Sequence, residues 1–226
     1  MSPKQFTAVI PARKADAELN NKNILAFGDG NLLSHKIRQL KAVSNIDFII
    51  VSTDSDQMAD IAQEEGVLLD LRPPHLAKLD TEFADLVKHI ATVVNTGHVV
   101  WTPVTCPLVT SGIYKDAIKV YLRMKHEGFD SLITCHKIKR HLLDENGPLS
   151  FRFHKSKRLN AKLPAFYEYI NAISIAPTLS MLDWGYNWGR MPFRYALPES
   201  MRIDICSEQD YRISKFLYES YNEIHS

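Results

Sequence analysis

A chain of 226 residues suits one large α/β domain and is long enough to bury a sizeable core. Hydrophobic residues make up 45% and charged residues 23%, which excludes wholesale disorder. Lys+Arg 27 against Asp+Glu 26 leaves a formal charge of +1, so nucleic acid is not an expected partner. Cys106, Cys135 and Cys206 are far apart and odd in number, which argues against a disulfide framework or a zinc site. The sequence has no apolar run of bilayer length, and MSPKQFTAVIPAR lacks the basic and apolar regions of a secretion signal. The expectation is a cytoplasmic protein with no membrane partner.

Phe6 to Pro11 reads as a short buried strand stopped by proline. After the polar stretch Arg13 to Asn23, Asn31 caps a helix whose Leu33, Ile37, Leu40 and Val43 recur at helical spacing. Ile46 to Val51 is a second strand running into Ser52-Thr53-Asp54. Ser55 or Asp56 caps the next helix, and Gly66 stops it. Arg72-Pro73-Pro74 opens a loop. A helix starts near Thr81, with Phe83, Leu86, Val87 and Ile90 on one face. His98 to Trp101 is a strand. Ser111 caps a helix carrying Ile113, Ala117, Val120, Tyr121 and Met124 inward, Gly128 ends it, and Ser131 to Cys135 is another strand. This alternation predicts a mainly parallel sheet with helices on both faces. Ligands bind such sheets at the carboxyl ends of the strands, which marks Arg13, Asp54 and the Pro103 to Pro107 turn.

The pattern breaks at His136. Lys137, Lys139, Arg140, Arg152, Lys155, Lys157, Arg158 and Lys162 follow, opposed by Asp144 and Glu145, with a hairpin signal at Asn146-Gly147. The expectation is one domain over 1–226 with a small inserted β-rich lobe at 136–170, its Leu149, Phe151 and Phe153 alternating as a strand with one buried face. A last strand, Tyr195 to Ile205, precedes a helix capped by Ser207 with Asp210 as capping-box partner.

Neither GxGxxG nor GxxxxGK[ST] is present. A strand-end loop bearing Arg13 and Lys22 can nevertheless hold a triphosphate, because its cations neutralise the anion while loop N–H groups hydrogen-bond it. A solvated polar loop is the plainer reading of the same residues. Cys135 and His136 point to opposite faces of a strand and make no nucleophile pair. Cys106 reads as a small core residue, Asp54 as a helix cap, and Trp184 and Trp188 as core or interface aromatics.

In order and spacing these segments resemble the acylneuraminate cytidylyltransferase family, which includes CMP-sialic acid and CMP-Kdo synthetases. The matching motifs are Ile10-Pro11-Ala12-Arg13 with Lys22-Asn23, Val51-Ser52-Thr53-Asp54, Arg72-Pro73 with Leu76-Ala77 and Asp80-Thr81, Leu163-Pro164, Ile170-Asn171-Ala172-Ile173, and Ile203-Asp204-Ile205-Cys206. The resemblance implies a Rossmann-like nucleotidyltransferase fold, a homodimer formed with help from the lobe, magnesium, and coupling of CTP to an acidic sugar with release of pyrophosphate. It implies that Arg13, Lys22 and Asp204 are catalytic. Ala12, Arg13, Lys22, Asn23, Arg72, Asp80, Thr81 and Thr105 would bind nucleotide, and Lys162, Tyr167, Tyr169 and Asn171 the acid sugar. Asp204 would hold the metal.

The chain departs from the family pattern in places. Lys14-Ala15-Asp16-Ala17 replaces Gly-Gly-Ser-Lys, Pro103 and Val109 replace a glutamine and an arginine, and Cys206 replaces the second aspartate of the metal pair. A carboxylate such as Asp16 about 4 Å from a phosphate charge costs about 4 kcal/mol at an effective dielectric near 20 unless a cation lies between them. Either Asp16 and Glu18 point away from the triphosphate or they meet it through a cation, and in the second case Asp16 is a further metal-side carboxylate. The departures leave two alternatives: a different small anionic acceptor such as a phosphonate, or a catalytically silent nucleotide-binding homologue.

Overall fold

The computed structural model describes residues 5–14, 19, 21–152 and 163–225. In chain order they form β1 (Phe6–Ala12), β2 (Ala26–Phe27), β3 (Gly30–Asn31), α1 (Leu32–Lys41), β4 (Phe48–Thr53), α2 (Asp56–Glu64), β5 (Leu68–Leu71), α3 (Phe83–Val93) and β6 (His98–Trp101). Then come α4 (Ser111–His126), β7 (Ser131–Ile138), β8 (Leu143–Asp144), β9 (Gly147–Pro148), β10 (Phe166–Pro177), α5 (Thr178–Trp184), β11 (Pro192–Ala196) and α6 (Glu208–His225). Seven strands make the main sheet in the order β11-β7-β10-β6-β1-β4-β5. β10 runs against both its neighbours, and the other pairings are parallel.

β1 is the central element, and its side chains alternate between two cores. Ala8, Ile10 and Ala12 pack with Leu33, Ile37 and Leu40 of α1, Ala117 and Tyr121 of α4, and Tyr211 and Tyr218 of α6. Val9 faces the other way, toward Val87 and Ile90 of α3 and Met181 of α5. Helices thus cover both faces, as the strand–helix alternation predicts. Among the described residues no helix is long and apolar enough to cross a membrane.

Local chemistry explains the element ends. Asn31 Oδ1 accepts the Ser34 N–H at 2.9 Å while Ser34 Oγ accepts that of Asn31 at 3.0 Å, a reciprocal box at the start of α1. Asp210 and Ser207 form the same device for α6, with Asp210 Oδ2 accepting the Ser207 N–H at 2.8 Å and Ser207 Oγ accepting the Asp210 N–H at 3.2 Å. Gly66, at φ +62, takes the left-handed turn that ends the α2 segment.

Several expectations are corrected. The second strand starts at Phe48, because the Asp47 carboxylate is occupied by the N–H groups of Gln5 and Phe6, at 2.8 and 2.9 Å. The third helix starts at Phe83, and Thr110 stands as the N-cap of α4. The last strand ends at Ala196 rather than Ile205: the Leu197 N–H makes one more bond to Cys135 O, and Pro198 has none to give. β5, α5 and the long β10 are additional. The hairpin turn falls at Glu145 and Asn146, where the Asn146 N–H is accepted by Asp144 Oδ1 at 2.8 Å. The strand expected at 149–153 does not form over its described part. Ser150 is the buried residue there, holding Leu142 N and Arg140 O through its hydroxyl, while Leu149 is exposed; Phe153 lies outside the described residues. Both ends of the expected lobe belong to the main sheet, since His136 pairs with Glu168.

Candidate active site

At the carboxyl ends of β1, β4, β5 and β6 the chain leaves the sheet and encloses a cleft of ≈ 370 Å³. Its lining includes Arg13, Lys22, Asn23, Arg72, Thr105, Asn171 and Asp204, all expected site residues, together with Phe83, Leu86, Trp101 and Cys206. Residues from six separate parts of the sequence therefore meet where open α/β sheets bind ligands.

The phosphate-side loop is built on hydrogen bonds. Asn21 sits in the left-handed region (φ 52), which asparagine tolerates better than most residues, and so starts the short 3-10 turn Lys22–Ile24. Asn23, buried within that turn, donates from Nδ2 to Arg13 O at 2.8 Å. Asp54 Oδ1 accepts the Lys14 N–H at 2.8 Å. Asp54 therefore ties down the loop after β1, and Ser55 rather than Asp54 stands at the N-cap of α2, without a side-chain hydrogen bond to it. Arg13 Nη1 donates to Lys78 O at 3.3 Å, across the loop that carries Asp80 and Thr81.

Arg72 is buried beneath this loop. Its Nη2 donates to Ser52 O at 3.0 Å, and burial lowers its pKa while Asp54 and Asp70 oppose the shift and Arg13 adds to it. Like charges of Arg13 and Arg72 thus crowd one cleft.

Asp204 lies on the irregular segment after β11, anchored by the Ile205 N–H donating to Thr105 O at 2.8 Å. Burial raises its pKa above the ordinary aspartate value, the nearby Thr105 hydroxyl, Lys22 and the Cys106 thiol oppose that shift, and Asp210 adds to it. Asp210 itself is committed to the α6 cap. Among the described residues no cluster of three or more His, Cys, Asp or Glu side chains is placed to hold a metal ion. One carboxylate nevertheless fits magnesium, which accepts one or two protein carboxylates and completes its octahedron with substrate phosphates and water.

On the far side, β10 carries a register shift between Tyr169 and Ser174. Thr134 fills it: its Oγ1 accepts the Ile173 N–H at 3.0 Å and lies 2.7 and 3.1 Å from the carbonyls of Ile170 and Ile173. The irregularity places Asn171 in the cleft, where its Oδ1 accepts from the Tyr169 hydroxyl at 3.1 Å.

Other expected residues stand elsewhere. The Ala12 side chain is wholly buried in the core, so its methyl is no nucleotide contact. Asp80 is exposed in the loop before α3, and Thr81 donates to His75 O at 3.0 Å; neither lines the cleft. Tyr167 lies under the Arg194 guanidinium, 5.2 Å from ring centroid to Cζ, and is likewise outside the lining. Asp16 and Lys162 lie outside the described residues.

Tyr169, expected at the acid sugar, and Trp188, read as a core or interface aromatic, lie outside the lining. They belong to a chain of aromatic rings whose cleft-lining members, Phe83 and Trp101, the sequence does not single out as site residues. Trp101, Phe83, Tyr186, Trp188 and Tyr169 follow one another with centroid separations of 5.7, 5.1, 5.1 and 6.0 Å. The available signal was position: Phe83 is the first residue of α3, at the sheet edge where ligands bind, and it is 38% exposed.

The family model described as cytidylyltransferase matches residues 7–171, which is most of the chain. The chain belongs to the cytidylyltransferase family. Asp204 stands beyond the matched span. The chain is 27% identical over 223 residues to the N-acylneuraminate cytidylyltransferase of Escherichia coli, covering 96% of this chain and 53% of that one. It is 21% identical over 224 residues to the pseudaminic acid cytidylyltransferase of Campylobacter jejuni, covering 95% and 97%. The chain therefore spans about half the length of the first relative and nearly all of the second. Among solved structures, that of CMP:2-keto-3-deoxy-manno-octonic acid synthetase complexed with CTP superposes with a TM-score of 0.66 at 12% identity, covering 96% of this chain and 99% of that one. This likeness shows the Rossmann-like nucleotidyltransferase fold.

Proposed function

We propose that the chain couples CTP to the anomeric hydroxyl of an acidic sugar of the sialic or ulosonic type, giving a CMP-sugar and pyrophosphate. The observation that carries this reading is the meeting of Arg13, Lys22, Asn23 and Asp204 in one cleft that Phe83, Trp101 and Asn171 also line. Family membership and relatives named for the cytidylylation of acidic sugars support it. In this reading Arg13 and Lys22 hold the triphosphate and stabilise charge on the leaving pyrophosphate. Asn23 fixes the loop through Arg13 O, and Asn171 orients the acceptor beside the α-phosphate. Transfer of this kind needs positioning and charge neutralisation more than covalent chemistry from the protein. Asp204 would hold magnesium, which supplies further neutralisation of the phosphates.

CTP with magnesium is expected to raise the melting temperature more than ATP, GTP or UTP, because a ligand at about 100 times its Kd stabilises the native state by about 2.7 kcal/mol. Pyrophosphate release across a panel of acidic sugars and phosphonates then identifies the acceptor. A flat thermal response to all four nucleotides would remove the reading.

We further propose a homodimer that uses the basic segment after β7. Leu143 and Leu149 expose apolar side chains there, at 63% and 51%. Light scattering at micromolar concentration is expected to give twice the chain mass; a monomer counts against the assignment.

A further inference from the structure

Lys36 lies in the second turn of α1 and is fully buried, beside the core residues Leu32, Leu33 and Leu40 of the same helix. A buried ammonium is costly unless it is held by specific partners. Its Nζ donates to Cys106 O at 3.0 Å and to the Tyr114 hydroxyl at 2.6 Å, and Tyr114 in turn shares a 2.7 Å hydrogen bond with Thr102 Oγ1. Thr102 and Tyr114 satisfy each other without the lysine, so the fold alone does not call for a charge at this position. What Lys36 alone reaches from this side is the Cys106 carbonyl.

That carbonyl belongs to the turn that holds Asp204. Its Thr105 O receives the Ile205 N–H at 2.8 Å, one residue beyond Asp204. α1 reaches the same turn at two further points, His35 Nε2 at 3.1 Å and Gln39 Nε2 at 2.7 Å from Pro107 O. Lys36 is distinct in gripping the residue next to Thr105, whose carbonyl holds the Asp204 segment. Burial pulls the Lys36 pKa down to about 8, while Cys106 and Asp204 oppose the shift.

We infer that Lys36 is a positioning residue: by clamping the Cys106 carbonyl it fixes the Thr105–Cys106 turn that holds the Ile205 N–H, and so aims the neighbouring Asp204, the one carboxylate among the described residues lining the cleft, at the metal–nucleotide complex. The inference rests on the proposed metal role of Asp204.

The test is calorimetric titration of magnesium into the protein saturated with a non-hydrolysable CTP analogue, alongside the magnesium dependence of turnover. Lys36→Met is expected to weaken magnesium uptake about tenfold and to raise the half-saturating magnesium by the same factor, with the KM for CTP at saturating metal unchanged. Tyr114→Phe, which removes the other partner of Lys36, is expected to lower the melting temperature without moving the magnesium requirement. If Lys36→Met does not fold, Lys36→Gln carries the test, because its polar head is one bond shorter and uncharged, and it too is expected to weaken uptake. Unchanged uptake in the folded lysine variant overturns the inference. So does tighter uptake, which is what removing a mere positive charge near the site would give, and so does an equal weakening in Tyr114→Phe. Wild-type protein that binds the analogue but takes up no magnesium overturns the metal role of Asp204 and this inference together. Normal wild-type uptake with an unaffected variant overturns this one alone.

Discussion

Asp204→Asn is expected to give a protein that melts at a higher temperature than the parent while losing about 10³-fold in turnover. The loss follows from electrostatics: removing one preorganised group that balances transition-state charge costs about 3–4 kcal/mol. The gain follows from linkage. Burial makes the Asp204 carboxyl harder to ionise in the folded chain than in the unfolded one, against the opposing influence of the nearby Thr105 hydroxyl, Lys22 and Cys106 thiol. A group whose folded pKa is raised contributes stability below its unfolded pKa, and that stability is lost as pH rises through the folded value. At neutral pH the ionised Asp204 is therefore a net cost to the ligand-free protein. Asparagine keeps an acceptor oxygen for Thr105 or Cys106 and removes the charge. For a chain of this length each kcal/mol recovered moves the melting temperature by about 2–4 °C. Calorimetry at pH 7 and at pH 4 checks the sign, since the advantage of the variant should shrink at the lower pH. Full turnover in the variant would show that Asp204 is not the metal carboxylate, and a lower melting temperature would show that its burial is compensated.

The parts of this site that were legible in the sequence are those fixed by local chemistry. Arg13 follows an apolar strand, which runs through Pro11 to Ala12 rather than stopping at the proline, and Lys22 and Asn23 sit at family spacing from it, so their convergence could be expected before the fold was known. The reason Asp204 reaches the cleft could not be read. A strand to Ile205 was the natural extension of an apolar stretch, yet Pro198 breaks the ladder, and the carboxylate is delivered by an irregular segment pinned to Thr105. Asp54 was assigned to the nearest helix, whereas its partner is Lys14, 40 residues away, a contact that only parallel pairing of β1 and β4 creates.

The same distinction holds for the fold. β1, β6 and the capped starts of α1 and α6 carry their signals within a few residues, in apolar runs or in capping boxes. β5 is four residues with an aspartate in the middle, and Asp70 is there to take His89 Nε2 of α3 at 3.0 Å, a tertiary reason that no local pattern carries. β10 reads Tyr-Glu-Tyr-Ile-Asn-Ala, and its alternation is broken by the irregularity that presents Asn171. Phe83 and Trp101 obey helix and strand patterns for core residues, and it is their height on the sheet, not their spacing, that puts them in the cleft.

Arg13→Ala is expected to raise the KM for CTP by about 10- to 100-fold while leaving the ligand-free protein at least as stable as the parent. A charge-assisted hydrogen bond to phosphate contributes about 1.5–3 kcal/mol, which sets that range. Stability is expected to hold because Arg13 makes a long, exposed bond to Lys78 O and adds its positive charge to that of the buried Arg72, whose ionisation it disfavours. Removing one of two crowded guanidinium groups relieves that repulsion, and an exposed polar contact of this kind contributes little. A cleft that concentrates Arg13, Lys22 and Arg72 suits an anionic ligand. The thermal shift caused by CTP should accordingly collapse in the variant even though its own melting temperature does not fall. Arg13→Lys restores the charge but not the planar fork that grips two phosphate oxygens, so it is expected to recover less than half of the lost binding free energy. If Arg13→Ala binds CTP as the parent does, the triphosphate lies elsewhere in the cleft; if it loses stability and affinity together, Arg13 serves the loop rather than the ligand.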